Sequence, residues 1–318
     1  MTGRTYPTDP AEAGLRLFLR WFGAHYARSA KLTSAERAGP VPRGTIQVGR
    51  RWDLAFAVVN TLAPDATIEW EAARATIERR LDDAGRSIAL WVPREAPLPA
   101  DEAKVGELLE AVGAARTLED GRMEVRRPVT LHIRRTATTG SVVTALGGMA
   151  PHWAQFTNRV AGSFQLNALQ LHRLPSNEDE RTDLADRIVL AAAQPEVDGS
   201  IPIAAEDAWT ANELDEGGSS VLGTPQREND EHASSLRRNL RKLLKDAAPA
   251  RDLPAPAHAL VVLGASTYAG EEKLTWALRG MDPTLYTGFD IIAVVADGIV
   301  KPLLTPPPQS LPWDAPSP

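Results

Sequence analysis

The order of elements between residues 259 and 304 does most to limit the fold. An apolar run, Ala259 to Leu263 (ALVVL), precedes a helical stretch from Gly270 to Arg279 and a second apolar run, Asp290 to Ala296 (DIIAVVA). Short apolar runs of this kind read as strands, and strand, helix, strand in succession makes a compact α/β unit. Asp297-Gly298 follows at once. Both central positions of a type I′ turn need φ > 0, which Asp-Gly tolerates, so a hairpin is expected there. Pro302 cannot donate to a ladder, which places the returning strand at an edge.

Upstream, strands and helices also alternate. Asp9 before Pro10, with Glu12 three residues on, is a helix start, and Leu15, Phe18, Leu19, Phe22 and Tyr26 then repeat at helical spacing. Residues 32–44, with Pro40 and Pro42, read as a linker or surface loop. Ile46 and Val48, then Leu54, Phe56 and Val58, predict extended segments meeting at 49–53. Trp70, Ala73, Ile77 and Leu81 predict a helix, and Val105, Leu108, Leu109 and Val112 another that opens near Asp101. Between them SIALWVP (87–93) reads as a short buried strand. Residues 122–135 give the clearest strand signal. Residues 140–146 and 163–173 are also read as extended, the second with a bulge near Ala168 where its apolar parity changes.

Charge divides the chain. Residues 1–175 hold 23 Lys and Arg against 18 Asp and Glu, and 176–318 hold 12 against 23, so +5 and −11 make up the net −6. At 318 residues, two domains are the default. The expected organisation is an N-terminal helix and linker (1–44), a basic α/β domain (45–175), an acidic α/β domain (176–304) with a long loop at 204–232, and a Pro-rich tail (305–318) without a fixed fold. The fold class is mixed α+β and α/β, two parts each with a mixed β-sheet flanked by helices.

Cysteine is absent, which excludes disulfides, thiolate metal sites and cysteine nucleophiles. The N-terminus lacks the pattern of a signal peptide, and no run of eighteen apolar residues offers a membrane span. A soluble cytoplasmic protein is expected, and the Ala/Arg-rich, Lys-poor bias points to a bacterial source. The six histidines form no i, i+4 pair and no HExxH, so neither a metal nor a cofactor is expected.

Familiar catalytic patterns stop short. Gly264 and Gly270 frame a strand-to-helix turn, but a phosphate-binding loop needs Lys after the second glycine, and Glu271 and Glu272 stand there. Ser266 invites comparison with a nucleophile elbow, yet Tyr268 occupies the second glycine's place and no His follows His258. Nucleases of the restriction-endonuclease type set an Asp and a (D/E)xK on adjacent strands. Here 102–104 (EAK) and 271–273 (EEK) match by letter but fall at expected helix starts.

What remains is charge on regular elements. The strand 122–135 puts Met123, Val125, Val129, Leu131 and Ile133 on one face, with Arg126, Thr130, His132 and Arg134 on the other. The stretch 234–247 turns Leu236, Leu240, Leu243 and Leu244 inward and Arg237, Arg238, Arg241, Lys242 and Lys245 outward. Basic faces of both kinds can contact phosphates. Arg126, His132, Arg134, Arg237, Arg238, Arg241 and Lys242 are therefore the candidate nucleic-acid-binding residues.

The expected function is a non-enzymatic interaction or scaffold protein with a protein partner and without membrane contact, whose basic first half also offers a place for nucleic acid. The competing expectation is a divergent metal-dependent nuclease drawing ligands from Asp207, Glu213 and Asp215. The first calls for an exposed apolar patch, the second for convergence of those carboxylates.

Overall fold

The computed structural model describes residues 9–36, 41–60, 62, 67–93, 96–136, 142–147, 149, 152, 159–194, 199–223, 240–264, 278–307 and 310–314. In chain order the strands are β1 (Ala30–Glu36), β2 (Arg43–Val48), β3 (Trp52–Asn60), β4 (Ile88–Trp91), β5 (Arg116–Thr117), β6 (Met123–Arg135) and β7 (Val142–Gly147). They continue as β8 (Ser163–Ala168), β9 (Ser200–Glu213), β10 (Ser220–Leu222), β11 (Ala257–Gly264), β12 (Ile291–Ala296) and β13 (Ile299–Leu304). The helices are α1 (Pro10–Tyr26), α2 (Ile68–Asp83), α3 (Glu102–Gly113) and α4 (Glu178–Ala192), with a further helical stretch at 240–247.

Two mixed sheets flanked by helices result, the mixed α+β and α/β class expected. One has the order β1-β2-β3-β11-β12-β13, the other β10-β4-β9-β6-β8-β7 with β5 beside β6. Contacts gather the chain into two compact units, Met1–Arg94 with Asn212–Pro318, and Glu95–Ala211. Strand β9 crosses this division, since its last residues, Asn212 and Glu213, belong to the first unit. Residues 175–183 run inside the second unit, where they lead into α4. The second unit holds 11 Lys and Arg against 17 Asp and Glu, net −6, and the first is neutral with 24 of each.

In the first unit β3, β11 and β12 lie parallel, with β2 antiparallel to β3 and β13 antiparallel to β12. One face of these strands (Phe56, Val58, Val261, Val295) packs with Phe18 and Phe22 of α1. The other (Val59, Leu260, Val262, Val294) packs with Leu240 and Leu244. Burial on both faces is why these strands read as unbroken apolar runs rather than as alternation. The hairpin expected at Asp297-Gly298 is present, with φ 55° and 79°, and Pro302 lies on edge strand β13. At the head of α1, the Asp9 carboxylate accepts from Ala11 N at 2.9 Å, with Pro10 in the first turn. A buried ion pair closes the other side of this unit. Glu78 of α2 accepts from Arg74 Nε at 3.0 Å and from Val221 N of β10 at 2.9 Å.

The second unit is built on β6, a 13-residue strand that pairs antiparallel with β9 over twelve positions and with β8 at its far end. Leu131, Ile133, Leu166, Ile203 and Ala205 turn to one side, where Leu184 and Ile188 of α4 complete the core.

Four expectations are corrected. Residues 32–44 are not a linker throughout, because β1 occupies Ala30–Glu36. It is an edge strand exposed nearly along its whole length, so no buried face imprints a period of two on its sequence. Residues 204–232 do not form one long loop, because β9 runs to Glu213 and β10 follows. Its alternation ends at Asp207, after which both faces are buried, and the mixed pattern hides the strand. The parity change at Ala168 is a strand end, since Leu171 N donates to Ala168 O at 3.0 Å in a turn. The tail is not without structure, because Leu311 and Trp313 are buried in the first unit's core. The turn carrying Ser266, residues 271–273 and all but the last two residues of the expected helix at 270–279 lie outside the described residues.

Candidate functional site

Among the described residues, part of one face of the second sheet is exposed. Along β6, Thr130, His132 and Arg134 are exposed between the buried Leu131 and Ile133. Register carries this face across the neighbouring strands. His132 pairs with Asn167 of β8 and Pro202 of β9, and Arg134 with Gln165 and Ser200. Gln165 in turn pairs with Thr144 of β7. Because side chains alternate across a strand, these residues share one side of the sheet. Asn167, Ser200, Pro202 and Thr144 are exposed, and Gln165 is half-buried with Oε1 accepting from Arg134 Nε at 2.8 Å. The result is a four-strand surface of hydroxyls, amides, one imidazole and one guanidinium. Among these described positions there is neither a carboxylate nor an aromatic ring of the benzene or indole type.

Arg126 does not extend that surface as a free cation. Its guanidinium lies 2.7 Å from Glu124 Oε1, 2.5 Å from Glu180 Oε2 and 3.2 Å from Glu206 Oε2. Burial works against its charge, yet the hydrogen bonds to Glu180 and Glu124 outweigh that and raise its pKa. Burial also works against ionised Glu124, but Ser176 N–H and Arg126 hold its pKa below the usual range. Sequence alternation places Arg126 on the outer face and cannot show that three carboxylates consume it. The surrounding cleft of about 680 Å³ is lined by Arg126, Glu180, Asp183, Arg187 and Glu206 among others.

Asp207 is the most constrained ionisable group of the unit. Only 1 % exposed, it accepts from His172 N (2.8 Å), Arg173 N (2.9 Å), Trp209 Nε1 (2.9 Å) and His172 Nδ1 (3.0 Å). Burial penalises the carboxylate, but the His172 contact and these other donors prevail and lower its pKa. Arg127 stacks over the Trp209 ring at 4.5 Å, its own pKa lowered by burial and partly sustained by Asp207 and Glu107. An ionised carboxylate only accepts, so Nδ1 of His172 is the donor in this contact. The arrangement ties the 169–173 turn to β9. His172 thus stands just after a turn, paired by a contact that only the fold reveals.

The other expected residues disperse. Glu213 is exposed, and the exposed Asp215 pairs with Arg20 at 2.9 Å. With Asp207 saturated by four donors, the three do not share one task, and among the described residues no group of three His, Asp or Glu is placed to hold a metal. Glu102–Lys104 lies at the start of α3, where Asp101 caps Lys104 N at 2.8 Å. Arg241 and Lys242 are exposed on the 240–247 helix, and Arg237 and Arg238 lie outside the described residues. Large exposed apolar side chains, Leu32, Ile68, Leu169, Leu190 and Leu304, fall on five different segments rather than along one element. Among the described residues no helix is long and apolar enough to cross a membrane. Searches of family models, curated proteins and solved structures found no match to this chain.

Proposed function

We propose that this is a non-enzymatic interaction protein of the cytoplasm, and that its contact surface is the open face of the second sheet, taking single-stranded nucleic acid. The observation that carries the reading is the lack of any carboxylate among the described positions Thr130, His132, Arg134, Thr144, Gln165, Asn167, Ser200 and Pro202. They lie in a unit that elsewhere accumulates 17 acidic residues. A stretch of sheet face on which hydroxyl, amide and guanidinium donors are spread over four strands, with Glu206 further along the same side of β9 and paired to Arg126, suits phosphate and sugar oxygens. Bases usually stack on exposed aromatic rings in sheet-type binders. With none among these positions, the contact would follow the backbone and be indifferent to sequence.

The absence of cysteine agrees with a reducing cytoplasm. The test is anisotropy of labelled single-stranded RNA and DNA across a salt series. One phosphate neutralised by Arg134 gives log K against log salt a slope of about −0.7, and each further cation adds about as much. Arg134→Glu should abolish binding, whereas Arg126→Gln should leave it within about two-fold.

A further inference from the structure

The C-terminal segment is seated in an aromatic groove of the first unit. Trp313 is 3 % exposed and packs edge-on to Phe22 (5.5 Å between centroids, 69°) and Tyr26 (6.1 Å, 77°) of α1. Trp21, stacked on His25 at 4.8 Å, extends the aromatic wall. Arg28 donates to the Trp313 carbonyl at 3.0 Å. The segment is held as a turn in which Asp314 N donates to Leu311 O at 2.9 Å, and Leu311 is itself buried. A tryptophan anchor, a clamped carbonyl and a proline-flanked approach are the parts of a groove-bound peptide.

The fit is incomplete. Tyr26 Oη and Trp313 Nε1 are both buried without a hydrogen-bond partner among the described residues, although buried polar groups in a settled core are nearly always paired. Beside them a solvent-open cleft of about 520 Å³ runs between α1 and the segment, lined by Tyr26, Arg28, Pro306, Pro307, Trp313 and Asp314 among others.

We propose that the aromatic groove of α1 is a recognition site for a proline-flanked tryptophan segment, which the protein's own residues 310–314 fill in cis and the same segment of a second copy can fill in trans. The second copy is the partner that carries this segment by construction, and exchange of an identical element between protomers requires no new surface.

The experiment uses the full-length chain carrying Trp313→Ala and, as probe, a fluorescent peptide of residues 305–314 (TPPPQSLPWD). Saturable binding is expected for this variant, at least ten-fold weaker uptake for the wild type whose groove is occupied, and none for the peptide with Trp replaced by Ala. A folded Trp313→Ala protein that takes up no peptide overturns the proposal. If that variant does not fold, Arg28→Ala decides, because it removes the clamp and leaves Trp313 in place. Peptide uptake above wild type supports exchange, and wild-type behaviour in a folded Arg28→Ala protein makes the segment a fixed part of the core and refutes it.

Discussion

Replacing Asp207 by Ala removes one buried acceptor from four donors. The indole N–H of Trp209, a residue with no exposed surface, is left without a partner, and an orphaned buried donor costs about 1–3 kcal/mol. The backbone N–H groups of His172 and Arg173 lose their acceptor too, but both residues are partly exposed and water can recover part of the loss. Adding these without double counting gives a destabilisation of about 3–5 kcal/mol from hydrogen bonds lost to a buried carboxylate. Asp207→Asn should be milder, about 1–3 kcal/mol, because its oxygen can still serve the two backbone donors while its amide faces the Trp209 N–H. Urea unfolding followed by circular dichroism measures both. Because Asp207 is more acidic folded than unfolded, its stabilisation is present above the unfolded pKa and lost as pH falls through the folded one. The wild type should therefore lose more stability on acidification through that window than Asp207→Asn. An Asp207→Ala protein within about 0.5 kcal/mol of wild type, the scale of neutral surface changes, or an Asn variant weaker than Ala, would show that Asp207 does not hold the turn to β9.

Other residues give separate tests. Glu78→Ala takes from Arg74 its acceptor at 3.0 Å, leaving Glu71 at 3.4 Å, and deprives the Val221 N–H of β10 of its acceptor, and should cost at least about 1–3 kcal/mol in the same unfolding assay. Gly147→Ala should destabilise by at least about 1–3 kcal/mol, since φ is +84° and a Cβ would stand 1.8 Å from Ala168 O, so β7 would part from β8. Amide exchange in β7 would report that separation. The Tyr26 hydroxyl is pushed up to about 12, first by burial and then by Asp314, so spectrophotometric titration should contain a late component, and stability should fall as pH climbs from 10 towards 12. An ordinary tyrosine titration in the folded protein would contradict the burial of its hydroxyl.

Local signals carried much of the fold. Asp9-Pro10, Asp101 and Asp297-Gly298 act through their own side chains or φ angles within one turn, so a sequence states them directly. The face of β6 was legible for the same reason, because Leu131 and Ile133 alternate with His132 and Arg134 over a half-buried sheet. The polar half of SFQLNA carried the same signal for Gln165 and Asn167, but only pairing with β6 shows that they join that face. Interactions between distant segments left no such mark. Asp207 meets His172 across 35 residues, Arg126 meets Glu180 across 54 and Glu206 across 80, and Arg28 meets Trp313 across 285. Each looks in sequence like an ordinary surface charge or a tail. The charge division at 175 was legible but does not follow the contacts, because residues 212–318 return to the unit begun by residues 1–94.

The exposed face of β9, β6, β8 and β7 is proposed to bind nucleic-acid backbone through Arg134 and its polar neighbours. The most direct measurement is the affinity for a labelled single-stranded RNA at low salt, compared between wild type and Arg134→Glu after circular dichroism has shown both to be folded. Binding that weakens with salt and is lost in Arg134→Glu is the result the account requires. Wild type and variant binding equally, or neither binding at all, would contradict it.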